Sequence, residues 1–362
     1  MRKTEDDLMG VIKKIFKVLG RILLVLLILI VIALIVCFFY QKSAQKKDRK
    51  LLEDGGYKHL YSAGDYNMNI NIYGEGKNKI VVMPGSGDAE FTVNMKKFSE
   101  HLSDDISLVV VTRPGYGLCE ETDHEITTEY IVDSTRTALK NAGVEAPYIL
   151  MPHSLSGIYG TYWENTYPEE VKGVIFLDSV NDAYPEVPEE EINENISGAA
   201  FHIAKFLQRS GGTKAFNDIM HRSDFSDEYE KYANAMFEIN PAGFSKSFIS
   251  ELKNFNKNMK TAWASIKSND IPKIYISTNY QTIDDIRDYL MFMDGEVDEA
   301  KAQEWFEDEK SAEKQAYYKK RSEYINKLGN CKEINIAGSH FIHEQKPDEV
   351  AKTIEDFVNG IK

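Results

Sequence analysis

The strongest constraint in this sequence is a rhythm of short apolar runs separated by helical patterns. Met68–Tyr73 alternates with period two, Ile80–Met83 and Leu108–Val111 are continuous buried runs, and Tyr148–Met151, Val174–Leu177, Ile274–Ile276 and Ile334–Ile336 extend the series. Most are separated by helical patterns such as Phe91–Leu102, Tyr130–Ala142 and Val350–Phe357. Strands alternating with helices predict an α/β fold, a mainly parallel sheet with helices on both faces. The rhythm breaks between Asp178 and Ile271, where about ninety residues far exceed the dozen or so that a parallel crossover needs. That stretch is helical and acidic, carries Phe201, Phe206, Phe216, Met220 and Met236, and reads as a helical cap inserted at about 179–270. Glu189, Glu190, Glu191 and Glu194 read as its solvated face, not as a metal site.

Before this pattern begins, Ile22–Tyr40 carries no charge and almost no polar atom. A helix of that length spans about 30 Å, the thickness of a hydrocarbon core, and predicts a single transmembrane helix. Val36, Cys37, Phe38, Phe39 and Tyr40 offer no small-residue cleavage site, which argues against a signal peptide and against a lipoprotein cysteine. Residues 1–21 form a basic segment in which Leu8, Ile12, Ile15, Phe16 and Leu19 recur at helical spacing among Lys13, Lys14 and Lys17, a pattern suited to an anionic membrane face. Residues 41–57 read as a polar, basic tether, and 58–362 as the globular domain. Lysines and arginines on both flanks of the span nearly balance. The expected orientation, with the large domain outside the cell, therefore rests on long domains translocating largely regardless of nearby charge.

With 362 residues, 43% of them hydrophobic, the chain can bury one large core with an inserted subdomain. A formal net charge of -14 argues against a nucleic-acid partner, which would require clustered lysine and arginine. Cys37, Cys119 and Cys331 are too few for a disulfide framework and have no metal-site spacing.

The chemistry-bearing stretches follow the strand signals. Tyr148-Ile-Leu-Met-Pro-His-Ser-Leu-Ser-Gly157 predicts a buried strand, a sharp turn at Ser154 and a helix from Leu155. Such an elbow presents a nucleophile and needs small residues two positions to either side, here Pro152 and Ser156. A serine capping an ordinary helix is the alternative reading of Ser154. Pro84-Gly85-Ser86-Gly87 follows the Ile80–Met83 strand, and a glycine turn of this kind can aim backbone N–H groups at a developing oxyanion. The expected donors are the N–H groups of Ser86 and Leu155. No Gly-Lys-Ser/Thr follows, which excludes a phosphate-binding loop. Thr112-Arg113-Pro114-Gly115-Tyr116-Gly117 reads as a structural turn.

A general base for Ser154 is sought in an imidazole on a rigid turn, and His340 after Ile334–Ile336 is the candidate, with His343 three residues on as the alternative. His153 should point away from Ser154 and serve packing. His59, His101, His124, His202 and His221 lack such a context. The carboxylate that orients the imidazole is expected in Asp178, which ends the Val174–Leu177 strand, with Asp284 or Asp285 after Ile274–Ile276 as alternatives.

Taken in order, these stretches resemble the α/β-hydrolase superfamily from about Tyr66 to Ile361. Pro84-Gly85-Ser86-Gly87 is similar to its His-Gly-x-Gly loop, Arg113-Pro114-Gly115-Tyr116-Gly117 to its Asp-Arg-Pro-Gly-x-Gly stretch, and Pro152-His153-Ser154-Leu155-Ser156-Gly157 to Gly-His-Ser-x-Gly-Gly. Gly338-Ser339-His340-Phe341 through Pro347 resembles the Gly-x-Gly-His-Phe segment before the last helix. The closest likeness within the superfamily is to membrane-anchored or secreted hydrolases of Gram-positive bacteria. The resemblance implies an eight-stranded sheet, a helical cap over the active site, no cofactor, and a Ser-His-Asp triad acting on an ester or similar acyl substrate, with the acid one strand earlier than usual. Dehalogenation and epoxide hydrolysis are disfavoured, because relatives that perform them use an aspartate where this chain has Ser154. A membrane-tethered binding protein on the same scaffold is the rival, since a fold does not establish turnover.

Overall fold

The structure is a computed structural model and describes residues 2–220, 227–240 and 242–361. His221 lies outside the described residues, as do the side chains of Leu8, Ile12 and Met220. Eight strands run in the chain order β1 (Leu60–Ser62), β2 (Asn67–Tyr73), β3 (Asn78–Met83), β4 (Ile106–Val111), β5 (Tyr148–Pro152), β6 (Val171–Leu177), β7 (Asn269–Ser277) and β8 (Gly329–Asn335). They form one sheet in the order β1-β2-β4-β3-β5-β6-β7-β8. The β1–β2 and β2–β4 pairs are antiparallel, and every pair from β4 to β8 is parallel.

Fifteen helices are described. The first is α1 (Arg2–Asp54), and α2 (Phe91–Ser99), α3 (Thr128–Asn141) and α4 (Gly157–Thr166) connect the strands as far as β6. Between β6 and β7 come α5 (Glu189–Ser197), α6 (Ala199–Arg209), α7 (Gly212–Met220), α8 (Glu228–Ile239), α9 (Lys246–Lys253) and α10 (Phe255–Ser265). Between β7 and β8 come α11 (Ile283–Asp294), α12 (Glu299–Glu309) and α13 (Ala312–Lys327), and α14 (Ile342–Gln345) and α15 (Pro347–Gly360) close the chain.

The central strands are uniformly apolar because both faces of the sheet are covered. Ile80, Val82, Leu108, Val110, Ile149 and Met151 point to the side of α2 and α15, where Phe91, Met95, Phe98, Ile354 and Val358 pack. Val81, Met83, Val109, Val111 and Leu150 point to the other side, against Ile131, Val132, Ile158, Trp163 and Met259 of α3, α4 and α10. The short hairpin strand β1 and the three helices between β7 and β8 carry no strong sequence signal. Of the latter, α11 and α12 bury a small cluster of Ile286, Leu290 and Ala302, and α13 adds Tyr324 and Ile325 to the main core.

The chain divides into two compact units. One comprises Met1–Asp48 and Ser197–Asp224, and the other Arg49–Ile196 and Phe225–Lys362. Helix α1 is long and apolar enough to cross a membrane: its most apolar window has a mean hydropathy of 3.8 and none of it is buried. The tether expected at 41–57 differs from what is found. The helix continues to Asp54, and in the larger unit Leu52 and Tyr57 are fully buried, in a cluster with Val93, Leu118, Met236 and Ile239. Leu51, Leu52 and Tyr57 give this basic stretch an apolar side, so packing begins within it, at Leu51, rather than at 58.

The elbow after β5 depends on one close approach. A Cβ at Gly160 on α4 would lie 2.7 Å from Pro152 Cγ and 3.1 Å from Pro152 Cβ. The proline that replaces the usual small residue before Ser154 is thus accommodated by a glycine in the first turn of α4. In an exposed helix Gly→Ala normally gains about 1 kcal/mol. Here overpacking reverses the sign, and Gly160→Ala should destabilise by roughly 1–3 kcal/mol in denaturant melts. Pro152→Ala in the same chain should recover most of that loss, and simple additivity of the two substitutions would sink this account.

Candidate active site

The site is built at the carboxyl ends of parallel strands, where ligands gather in open α/β sheets. Ser154 follows β5, Asp178 follows β6, and His340 follows β8. Among the described residues, Ser154 (φ 52°) and Asp178 (φ 39°) alone adopt positive φ without being glycine. Such a conformation costs a side-chain-bearing residue about 1–2 kcal/mol, so the surroundings must hold it. Around Ser154 they do: Val180 N–H donates to the Ser154 carbonyl at 2.8 Å, and Ser156 N–H to that of His153 at 3.0 Å. A Cβ at Gly85 would lie 3.2 Å from Ser154 Cβ, and one at Gly157 would lie 2.4 Å from the Val180 carbonyl oxygen. Ser154 opens a single 3-10 turn through Ser156, and α4 begins only at Gly157, two residues later than the sequence suggests.

The glycine loop after β3 is held from beneath by a charge. Arg113 Nη1 donates to the Pro84 carbonyl at 2.6 Å and to Ser156 Oγ at 2.7 Å, and Nη2 donates to the Gly85 carbonyl at 2.5 Å. Ser156 Oγ in turn donates to the Pro84 carbonyl at 2.5 Å. Tyr116 Oη accepts from Gly87 N–H at 3.0 Å and donates to Glu251 Oε2 at 2.7 Å. Glu251 belongs to α9 and ion-pairs Arg113 Nε at 2.9 Å, with both side chains under 5% exposed. Burial opposes the charge on Arg113, yet Glu251 beside it pushes its pKa up. The turn at Thr112–Gly117 is structural, as its sequence suggests. The anchoring roles of Arg113, Tyr116 and Glu251 were not legible, because nothing local pairs residue 113 with residue 251.

His340 Nδ1 donates to Asp178 Oδ2 at 2.6 Å, which leaves Nε2 for other partners. Burial would raise the Asp178 pKa, but the His340 hydrogen bond and charge, together with the Thr278 hydroxyl, bring it below the ordinary carboxylate value. Asp178 N–H donates to the Ile276 carbonyl at 2.8 Å, and Ser179 Oγ donates to the Pro152 carbonyl at 2.7 Å, so the turns after β5, β6 and β7 are tied together.

Asp284 and Asp285 are engaged elsewhere. Asp285 closes the capping box of α11, accepting from the Thr282 and Gln281 N–H groups, and Asp284 pairs with Arg287 at 2.7 Å. His343 is fully buried, edge-on to Phe91 and Phe98, and its pKa falls to about 3 through burial and the nearby His340. His153 is buried and stacked on Phe91, and its Nε2 bonds the His340 carbonyl at 3.1 Å. Burial, then His343 and His340, lower the pKa of His153 well below its ordinary value, so this neutral ring supports the backbone of His340.

Ser86, Ser154, Leu155, Asp178 and His340 all line one pocket of about 480 Å³. Its outer wall comes from Tyr184, Ile192 on α5, Leu252 on α9, Phe255 on α10 and Tyr317 on α13. Tyr317 comes from the β7–β8 crossover, which the sequence does not single out.

No family model matches the chain. The uncharacterized protein YbdG of Bacillus subtilis (strain 168) is 28% identical over 228 residues, 61% of this chain and 68% of that protein. An uncharacterized protein of Schizosaccharomyces pombe is 32% identical over 145 residues, and the chain spans only 25% of its length. Among solved structures, haloalkane dehalogenase DbeA from Bradyrhizobium elkani superposes with a TM-score of 0.53 at 12% identity, over 84% of this chain and 97% of its own. A malate-bound thermophilic esterase from Thermogutta terrifontis superposes with a TM-score of 0.51 at 14% identity, over 83% and 97%. With the strand order, the elbow and the late histidine, these likenesses place the chain in the α/β-hydrolase fold.

Proposed function

We propose that the protein is a serine hydrolase that cleaves an ester or similar acyl substrate, anchored to the cell membrane by α1 with the larger unit outside. The observation that carries this reading is the pairing of His340 Nδ1 with Asp178 in the pocket that Ser154 lines. In the proposed reaction His340 Nε2 takes the Ser154 hydroxyl proton as Oγ attacks the acyl carbon. The carbonyl oxygen becomes an oxyanion facing the N–H groups of Ser86 and Leu155, and each such donor is worth about 3 kcal/mol of barrier. His340 then gives its proton to the leaving group. Water, deprotonated by the same ring, cleaves the acyl-enzyme and restores Ser154. Asp178 keeps Nδ1–H oriented and balances the imidazolium. A partly apolar pocket of this volume suits a small acyl substrate.

Fluorophosphonate should label the intact protein at Ser154 and leave Ser154→Ala unlabelled. A wild-type protein that resists the reagent would favour the binding-protein reading. Asp178→Asn should fold and lose on the order of 10⁴ in turnover of any ester the wild type cleaves. Asp285→Ala should instead cost about 1 kcal/mol of stability through the lost helix cap and keep most of the activity. The reverse pattern would move the acid to the loop after β7. Tyr116→Phe removes the acceptor of Gly87 N–H, and should slow fluorophosphonate labelling several-fold while costing roughly 1–3 kcal/mol in stability. An unchanged labelling rate would mean that the loop holds its shape without that bond.

A further inference from the structure

Helices α6 and α7 form a hairpin that groups with the first 48 residues of the chain. Its turn is seated on α1. Gly211 (φ 81°) comes so close that a Cβ there would lie 2.2 Å from the Cys37 carbonyl oxygen and 3.0 Å from Gln41 Cβ. Tyr40 Oη donates to Asp218 Oδ2 at 2.6 Å, and Asp218 Oδ1 pairs with Lys214 at 3.0 Å. These contacts fall on residues 37–41, where the uncharged run of α1 ends. If that run fills the hydrocarbon layer, its end lies at the lipid–water boundary, and the hairpin clamped there lies at the same depth.

The hairpin is built inside out for water. On α6 the half-buried positions are Phe201, Lys205 and Gln208, whereas Ile203 (61%), Phe206 (56%) and Leu207 (43%) are exposed. The spacing of three and four places the exposed residues in one stripe, and a helix packed on an aqueous protein turns such a stripe inward. Phe216 on α7 is 61% exposed as well, and on α1 Phe38 and Phe39 are also exposed. Arg209, exposed at the end of α6, supplies a cation at the level of lipid headgroups.

We infer that the α6–α7 hairpin is an interfacial membrane element, laying Ile203, Phe206, Leu207 and Phe216 into the acyl region of the bilayer beside the exit of α1. The inference rests on the proposed reading of α1 as the spanning helix. The occupant of the stripe is lipid, because the hairpin is clamped to the boundary end of a segment too apolar for water.

The test uses the full chain with Phe206→Trp, reconstituted into phosphatidylcholine–phosphatidylglycerol vesicles whose phosphatidylcholine carries brominated acyl chains. The native Trp163, Trp263 and Trp305 supply the background, recorded on the wild type. The emission added by Trp at 206 should fall by roughly half with brominated lipid, as expected for a side chain about 5–10 Å into the boundary region, and should be shielded from aqueous iodide. Quenching by iodide would put the stripe in water and overturn the inference. Insensitivity to both quenchers would mean that protein covers it, from a second copy or another part of the chain, and would overturn it equally. Alkaline carbonate extraction of the same vesicles separates the two readings. A chain that stays with the membrane but shows no bromine quenching retains α1 and loses the hairpin, whereas release into the supernatant overturns the spanning helix and the hairpin's placement with it.

Discussion

The geometry of the site depends on one constraint, the left-handed turn at Ser154. A serine there carries a Cβ into a region that side chains avoid, and the turn persists only because its neighbours give up their own. Gly85 lets the loop after β3 pass under Ser154, Gly157 lets α4 start against the Val180 carbonyl, and Gly160 leaves space for the Pro152 ring. The small-x-Ser-x-small pattern is therefore relaxed in its letters and kept in its volume. Pro152 adds bulk on the strand side, and α4 removes it on the helix side. Ser156, in place of a glycine, converts the remaining space into hydrogen bonds with Pro84 and Arg113.

A buried charge holds the opposite wall. Arg113 and Glu251 are almost fully buried, so the attraction between them must offset several kcal/mol of desolvation for each ion. Every polar atom placed around them contributes: two loop carbonyls, Ser156 Oγ, and the hydroxyls of Tyr116 and Tyr159. Removing one charge alone from such a pair typically costs about 3–5 kcal/mol. The pair connects α9, which lies within the break in the sequence rhythm, to the backbone of the Pro84–Gly87 loop. Any shift of α9 is thereby felt at the carbonyls that set the shape of that loop.

The pairing of His340 with Asp178 follows from strand order. β6 and β8 flank β7, and the end of β7 is Ser277-Thr278, small enough for His340 to reach across to Asp178. The Thr278 hydroxyl, just beyond β7, also lowers the pKa of the Asp178 carboxyl. Asp284 and Asp285, the acids nearest along the chain to that loop, begin a helix and are engaged in starting it.

Read by itself, the sequence determined the alternation of strands and helices, the apolar span at 22–40, and the three strand ends that bear Ser154, Asp178 and His340. Each is written in residues adjacent along the chain, through period-two alternation, helical periodicity or a glycine turn. The boundary of the packed domain, the three-helix crossover before β8, and the hydrogen bond that joins His340 to Asp178 came only with the tertiary structure. So did the buried contact of Arg113 with Glu251 and the outward apolar stripe of α6. Those features join residues more than a hundred positions apart, or depend on which face of a helix finds a neighbour. Local pattern cannot carry such information, because burial and pairing are properties of the folded space around a residue and not of the residues beside it in the chain.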